Sequence, residues 1–480
     1  MVLANNMGGR GSKVLLPYAI YSAFAVVSAV LERSGFFVAA GCVLLTAAVV
    51  MSVYFYRMDQ SLVSFRFLLS VFWTAGEGLA VMQLSRLQSS WTIWTWLSFS
   101  GFYLLFLAGY EIIESRYKRH TDDFDSEAFF KAKRRKNNIE SSNGNSKDKE
   151  NTVDSKQEAR FQERLFTCIR IVSLVTFATF VAEACILGYV PIFSSETHAY
   201  DHFHISGVHY FTVSCMFTHS LTLIYLLKYR QKKMTLGKSK TIQLIIYNIL
   251  SVSIPILSVS KFQFILTLVL PMLIFLLMRP NVNKKKLFAS FAAIAVVVIA
   301  AAVFMTIRRN YEPGYLNSIF QMKDENMPLF VQYAYMYIAN NYSNFNCLTQ
   351  AFAQGTITHA YGLKQIFPVF ALTGMKFIFP SLVAFEVPVT ITELNTLTLI
   401  YDAYYDFGLI GVLLFGIILG TLCAVLTQKI KRSSNPILYL FYAQIALYLV
   451  LSFFSAWFTV PTTWFWFALT GVLYWYTGKK

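Results

Sequence analysis

The residues of this chain with the clearest chemical potential lie between Arg308 and Asp406, with Lys261 upstream of them. Lys261 sits in a short turn between two apolar runs, and Arg308 and Arg309 follow a third such run. Three cations turned toward one cavity could grip a phosphate pair, because Arg offers a bidentate fork and Lys a point charge. For Lys261 alone, a side chain snorkelling to the membrane boundary accounts for the position equally well. Farther on, Tyr333, Tyr337, Asn340, Asn341 and Asn344 recur at spacings of three and four, which predicts one stripe of a helix over 329–352. Tyrosine rings and asparagine amides supply the flat faces and paired donors and acceptors that suit sugars. An aromatic belt at a membrane interface has the same composition. Such a helix could lie on the membrane surface or fold back into the protein. Four carboxylates, Glu386, Glu393, Asp402 and Asp406, then gather before the next apolar run. One of them could act as general base for a sugar hydroxyl, while Asp406 could equally cap a helix start.

The elements that must position these groups are membrane spans. The chain is 56% hydrophobic and only 14% charged over 480 residues, against about a quarter charged in ordinary soluble domains. Candidate membrane spans fall at 14–31, 36–56, 67–84, 93–110, 165–187, 210–227, 241–259, 262–278, 287–307, 407–426, 436–454 and 461–475, the third interrupted by Gly76-Glu77-Gly78 and the last short. The fold class expected is therefore an all-α polytopic membrane protein of about 12 transmembrane helices, with a large extracytoplasmic loop between spans nine and ten. Arg10 and Lys13 precede the first run, which is long and lacks a small-residue exit, so it is expected to anchor the chain and not to be cleaved.

Lys and Arg set the orientation. With a cytoplasmic N-terminus, only Arg33, Arg86, Lys261, Arg308, Arg309, Lys323, Lys364 and Lys376 of the 41 Lys and Arg fall in outer segments, and Arg170 falls within a span. The remainder lie inside, so both termini are expected in the cytoplasm and the 308–406 stretch outside. The expected organisation is spans one to four in 1–110, a charged disordered cytoplasmic loop in 111–164, and spans five to nine in 165–307. The outer loop with the probable active site then fills 308–406, and spans ten to twelve fill 407–480. The 111–164 segment is too polar to bury surface against its chain entropy, and the basic run at 131–136 reads as a topology anchor.

A net charge of +16 invites a nucleic-acid reading, but loop lysines and arginines of a membrane protein account for it without one. His198, His202, His204 and His209 share an outer loop with Asp201; their spacing fits no compact zinc motif, and hydrogen-bonding histidines are the simpler expectation. The six cysteines lie mostly within apolar runs as small buried groups. There is no Walker loop, dinucleotide fingerprint, nucleophile elbow or HExxH zinc motif. Ionisable groups within spans are few (Glu77, Arg170, Glu183), which argues against a transporter and for chemistry at the outer surface.

Five pieces occur in order: GYVPIF at 188–193, LSVSK at 257–261, YIANNYSNF at 337–345, Asn395-Thr396, and YDFGLIG at 405–411. Taken together they resemble the oligosaccharide repeat-unit polymerases, the Wzy or O-antigen polymerase family of bacterial surface-polysaccharide pathways. Where many relatives carry Ser-Arg-Gly, this chain has Ser260, Lys261 and Phe262, which keeps the charge and loses the bidentate geometry.

The resemblance implies a metal-independent, inverting, GT-C-like glycosyltransferase without cofactor in the bacterial cytoplasmic membrane. Its implied reaction moves a growing glycan from undecaprenyl diphosphate to a lipid-linked repeat unit, for O-antigen, capsule or exopolysaccharide. The expected site has Arg308, Arg309 and Lys261 on the diphosphate and Tyr333, Tyr337, Asn340, Asn341, Asn395 and Thr396 on the glycan. Glu393, Asp406 or His359 would act as base, and a chain-length regulator would be a partner. An O-antigen ligase, a lipid-linked oligosaccharide flippase and a glycan-binding receptor are the competing readings.

Overall fold

The computed structural model describes residues 4–135, 147–195, 199–231, 236–279 and 315–478. Span nine, Arg308, Arg309 and His198 lie outside the described residues. Among the described residues there is no strand, only one isolated bridge between Ser85 and Met322. The helices are α1 (Ala4–Arg33), α2 (Phe37–Asp59), α3 (Phe65–Val81), α4 (Ile93–Arg135), α5 (Lys147–Leu187), α6 (Met216–Gln231), α7 (Lys238–Leu257) and α8 (Lys261–Met278). After them come α9 (Tyr315–Phe320), α10 (Leu329–Ala353), α11 (Leu363–Leu372), α12 (Met375–Ile378), α13 (Tyr401–Arg432), α14 (Leu438–Val450) and α15 (Pro461–Gly478).

Eight described helical segments are long and apolar enough to cross a membrane, which makes this a multi-pass membrane protein. They coincide with the expected spans one, two, four to eight and ten. The third expected span forms the 17-residue α3, the eleventh the 13-residue α14 and the twelfth the 18-residue α15. Within the segment expected to be a disordered loop, helix extends through 111–135 and again from 147. Glu, Lys and Arg are abundant in both stretches and favour helix without needing a core.

The chain divides into two compact units, one built from Met1–Gly109, Asn310–Gly420 and Gln444–Phe465, the other from Tyr110–Arg309, Thr421–Ala443 and Trp466–Lys480. In the first, α2 and α3 pack closely because Gly41 faces Gly78: a Cβ on Gly41 would stand 2.5 Å from the Gly78 carbonyl. Gly76 likewise leaves room for Tyr342, whose hydroxyl would be 2.3 Å from an added Cβ. Tyr342 donates to the Trp73 carbonyl (3.1 Å) inside an aromatic core of Trp73, Phe99 and Phe345. The glycines that interrupt span three are thus contact points. The buried Glu77 between them accepts from the Tyr21 hydroxyl at 3.0 Å, and Glu32 accepts from Gln83, Trp91 and Trp96. Each buried carboxylate therefore has protein donors.

In the second unit α5, α6, α7 and α8 surround Phe180, Phe203, Cys215 and Ile254. Glu183, fully buried, accepts from the Ile205 amide (3.0 Å) and pairs with His209 Nδ1 (3.1 Å). The Nδ1 of His204 pairs with the Asp201 carbonyl (3.1 Å). The histidine-rich loop is thereby tied to α5.

Candidate active site

The tyrosine and asparagine residues of α10 are where sequence and structure differ most instructively. The helix folds back into the first unit instead of lying on a surface, and its polar groups hold two loops. On one side Tyr335 donates to Gln88 (2.7 Å) and accepts from the Leu84 amide (2.9 Å). Burial pushes its hydroxyl up to about 12, so it stays protonated for that bond. Asn346 accepts from the Thr92 amide (2.9 Å) and donates to the Ser90 carbonyl (3.1 Å).

On the other side Asn340 and Asn344 both donate to the Leu394 carbonyl (3.2 and 2.7 Å), and Asn344 also to that of Thr396 (2.9 Å). Thr390 returns bonds to both amide oxygens, and Asn341 accepts from the Thr396 hydroxyl. Asn340 and Asn341, expected on the glycan, are 0% and 1% exposed. The Asn340 amide is engaged with Leu394 and Thr390, while Asn341 donates to the Tyr337 carbonyl (2.8 Å) and accepts from Thr396, as buried polar groups require. Tyr333 and Tyr337 do stay near the surface. They stack on each other (4.8 Å between centroids), and Tyr337 stacks on Phe454 (5.7 Å).

Asp406 has a different task from the one its type suggested. It is 0% exposed, and its two oxygens accept from the Lys364 amide (3.1 Å) and the Gln365 amide (2.9 Å). It therefore caps the first turn of α11, where amides have no helical partner. The cap is on a neighbouring helix and not, as sequence allowed, on its own. Phe407 and Gly408 then leave helical geometry, Gly408 with φ 59° and ψ −147°, a region open in practice to glycine alone. The break releases the carbonyls of Tyr405 and Asp406, which take the amides of Ala360 and Tyr361 (both 3.3 Å). His359 also pairs through Nδ1 with the Tyr405 carbonyl (3.1 Å) and stacks on Phe352 at 4.2 Å. These contacts make His359, through Nδ1, and Asp406 parts of the frame around the site. Glu393 is exposed and accepts from Thr392 (3.1 Å).

The frame encloses a cleft of about 390 Å³, within the range of small-ligand sites. Lys364 on α11, Asp402 on α13, Asn395 and Thr396 on the held segment, and Ser455 and Thr459 ahead of α15 give it polar walls. Phe367, Phe385 and Phe454 give it flat apolar ones, and Phe454 joins it to the Tyr333–Tyr337 stack. Lys364 Nζ stands 3.4 Å from Asp402 Oδ1 and lies over the rings of Phe385 (5.0 Å) and Tyr405 (4.8 Å). Asp402 Oδ2 accepts from the Thr459 hydroxyl, while Oδ1 faces the ammonium without a hydrogen bond. An ammonium held between rings, next to a carboxylate with one oxygen to spare, can bind a hydroxyl at one end and an anion at the other.

Of the residues expected in a site, Asn395 and Thr396 line this cleft and Tyr337 reaches it through Phe454. Arg308 and Arg309 lie outside the described residues, and Lys261, just after the Ser260 cap of α8, belongs to the second unit. Lys364 and the 454–461 segment carried no site expectation. The signal available for Lys364 was its place among the few cations of the outer stretch.

The family model for O-antigen polymerases matches residues 77–453, from the end of α3 through α14, with the cleft residues up to Asp402 inside it and those from Phe454 on beyond it. The chain belongs to the O-antigen polymerase family. No curated protein and no solved structure matches it. Family membership makes this multi-pass membrane protein a polymerase of the glycosyltransferase type, and it takes in all of the 337–345, 395–396 and 405–411 pieces.

Proposed function

We propose that the protein polymerises undecaprenyl-diphosphate-linked oligosaccharide repeat units on the outer face of the bacterial cytoplasmic membrane. Both termini lie in the cytoplasm. The product is a surface polysaccharide such as O-antigen, capsule or exopolysaccharide. The observation that carries this reading is the Lys364–Asp402 pair in an aromatic-walled cleft within a chain of this family.

In the proposed reaction the terminal sugar hydroxyl of a new repeat unit approaches Asp402 Oδ1. Its oxygen attacks the anomeric carbon of the growing glycan, and the bond from that carbon to the diphosphate oxygen breaks. The electron pair leaves with the diphosphate, the hydroxyl proton passes to the carboxylate, and the configuration inverts. Lys364 steadies developing negative charge from within the cleft, and Arg308, Arg309 and Lys261 are the proposed diphosphate grip. Tyr333, Tyr337, Phe454, Asn395 and Thr396 present the glycan-facing surface, with Glu393 beside them on the held segment. No metal is required by this route, and a separate chain-length regulator is the proposed partner.

The test is incubation of purified protein with lipid-linked repeat unit and a readout of chain length. Products of two or more units are expected, and a deletion strain should carry glycan of a single repeat. Long chains retained in the deletion strain would overturn the assignment.

A further inference from the structure

The outward side of α11 and α12 points to a second contact of the site, with the membrane itself. α11 has two faces. Lys364 and Phe367 line the cleft and Pro368 and Ala371 are buried, while Ile366, Val369 and Leu372 stand open. The open row continues past the helix through Phe377, Ile378, Phe379 and Leu382, from 40% exposure at Leu372 to 69% at Ile378. A contiguous apolar surface of this kind needs an apolar partner.

What covers it follows from its neighbour. Phe407, Ile410, Leu414, Ile418 and Leu422 form an exposed stripe at spacings of three and four along α13, a helix long and apolar enough to span the membrane. That stripe is the face such a span turns to lipid. The two surfaces meet where α11 begins: a Cβ on Gly362 would lie 3.4 Å from the Phe407 ring, and Asp406 caps the same helix start. At 10 residues, α11 is about 15 Å long, too short to cross a hydrocarbon core of about 30 Å. It can instead lie along the interface with its apolar side down. Lys376, at the edge of the patch over the Phe377 ring (4.9 Å), is a cation placed to reach headgroups.

We propose that 363–382 forms an in-plane membrane element whose outward face lies among bilayer hydrocarbon chains. Its inward face builds one wall of the Lys364–Asp402 cleft. A lipid-linked substrate then reaches the cleft along α11 without leaving the membrane, a consequence that rests on the polymerase reading above.

The test uses the full wild-type chain in vesicles of phosphatidylethanolamine and phosphatidylglycerol doped with a phospholipid bearing a photoactivatable diazirine in its acyl chain. Mass spectrometry then maps the adducts. Adducts within 366–382 at yields like those on the Ile410–Leu414–Ile418 stripe are expected; adducts on the stripe with none in 366–382 would overturn the proposal. For delivery, the double variant Val369→Asp, Ile378→Asp should raise KM at least fivefold for a long-chain lipid-linked substrate and leave a short-chain, water-soluble analogue unchanged. Equal effects on both substrates would overturn lateral delivery. Absence of elongation by the wild-type chain would count against the polymerase reading and leave the adduct map as it stands.

Discussion

Asp402 and Asp406 lie four residues apart on one helix, yet their surroundings give them separate work. Asp406 spends both oxygens on the start of α11, while Asp402 keeps Oδ1 turned toward Lys364 in the cleft. Asp402→Asn keeps the shape and removes the charge, so chain elongation should fall at least 100-fold with the protein still folded, as read by single-turnover product analysis and by Tm. Near-normal elongation would remove Asp402 from the chemistry. Lys364→Met preserves the stem between Phe385 and Tyr405 and should lower elongation at least tenfold. Asp406→Asn should act differently. An amide accepts from only one of the two α11 amides, at a cost of about 1–3 kcal/mol, so a drop in Tm should accompany any lost activity.

Among the elements, α10 and the kink in α13 shape the site. Asn344 satisfies the carbonyls of Leu394 and Thr396 from a fully buried position. Asn344→Ala strands the Thr396 carbonyl at about 1–3 kcal/mol and leaves that of Leu394 on Asn340 alone, and limited proteolysis should find new cuts within 390–396. An unchanged digestion pattern would show that the segment is held by other means. Gly408→Ala forces a side chain into backbone geometry that costs about 1–3 kcal/mol, with its Cβ 3.4 Å from His359. The kink should straighten, recapture the carbonyls that hold 360–361, and abolish elongation while α13 still inserts in the membrane.

For the molecule as a whole, the distribution of Lys and Arg predicts that reporter fusions after Lys480 and within 136–146 score as cytoplasmic. An accessible tag placed after Gly355 should score on the opposite side. Tags at Gly355 and 136–146 on the same side would refute the proposed orientation.

The sequence by itself determined that this is a helical membrane protein, because bilayer hydrocarbon imposes a length and an apolarity that a run such as 37–59 displays without reference to any other residue. It also determined the family, through pieces at 337–345 and 405–411 whose order is a property of the chain. Roles within those pieces were beyond its reach. Whether an asparagine at spacing four meets a sugar or a carbonyl, and which of two aspartates is spare, depends on what packs opposite. For Asn340 and Asp406 the partners come from residues more than 40 positions away. Hydrogen-bond demand in a buried setting consumes the polar groups nearest a loop. Only the tertiary structure could decide that Asn340, Asn341 and Asp406 are held in this way while Lys364 and Asp402 pair in the wall of a cleft.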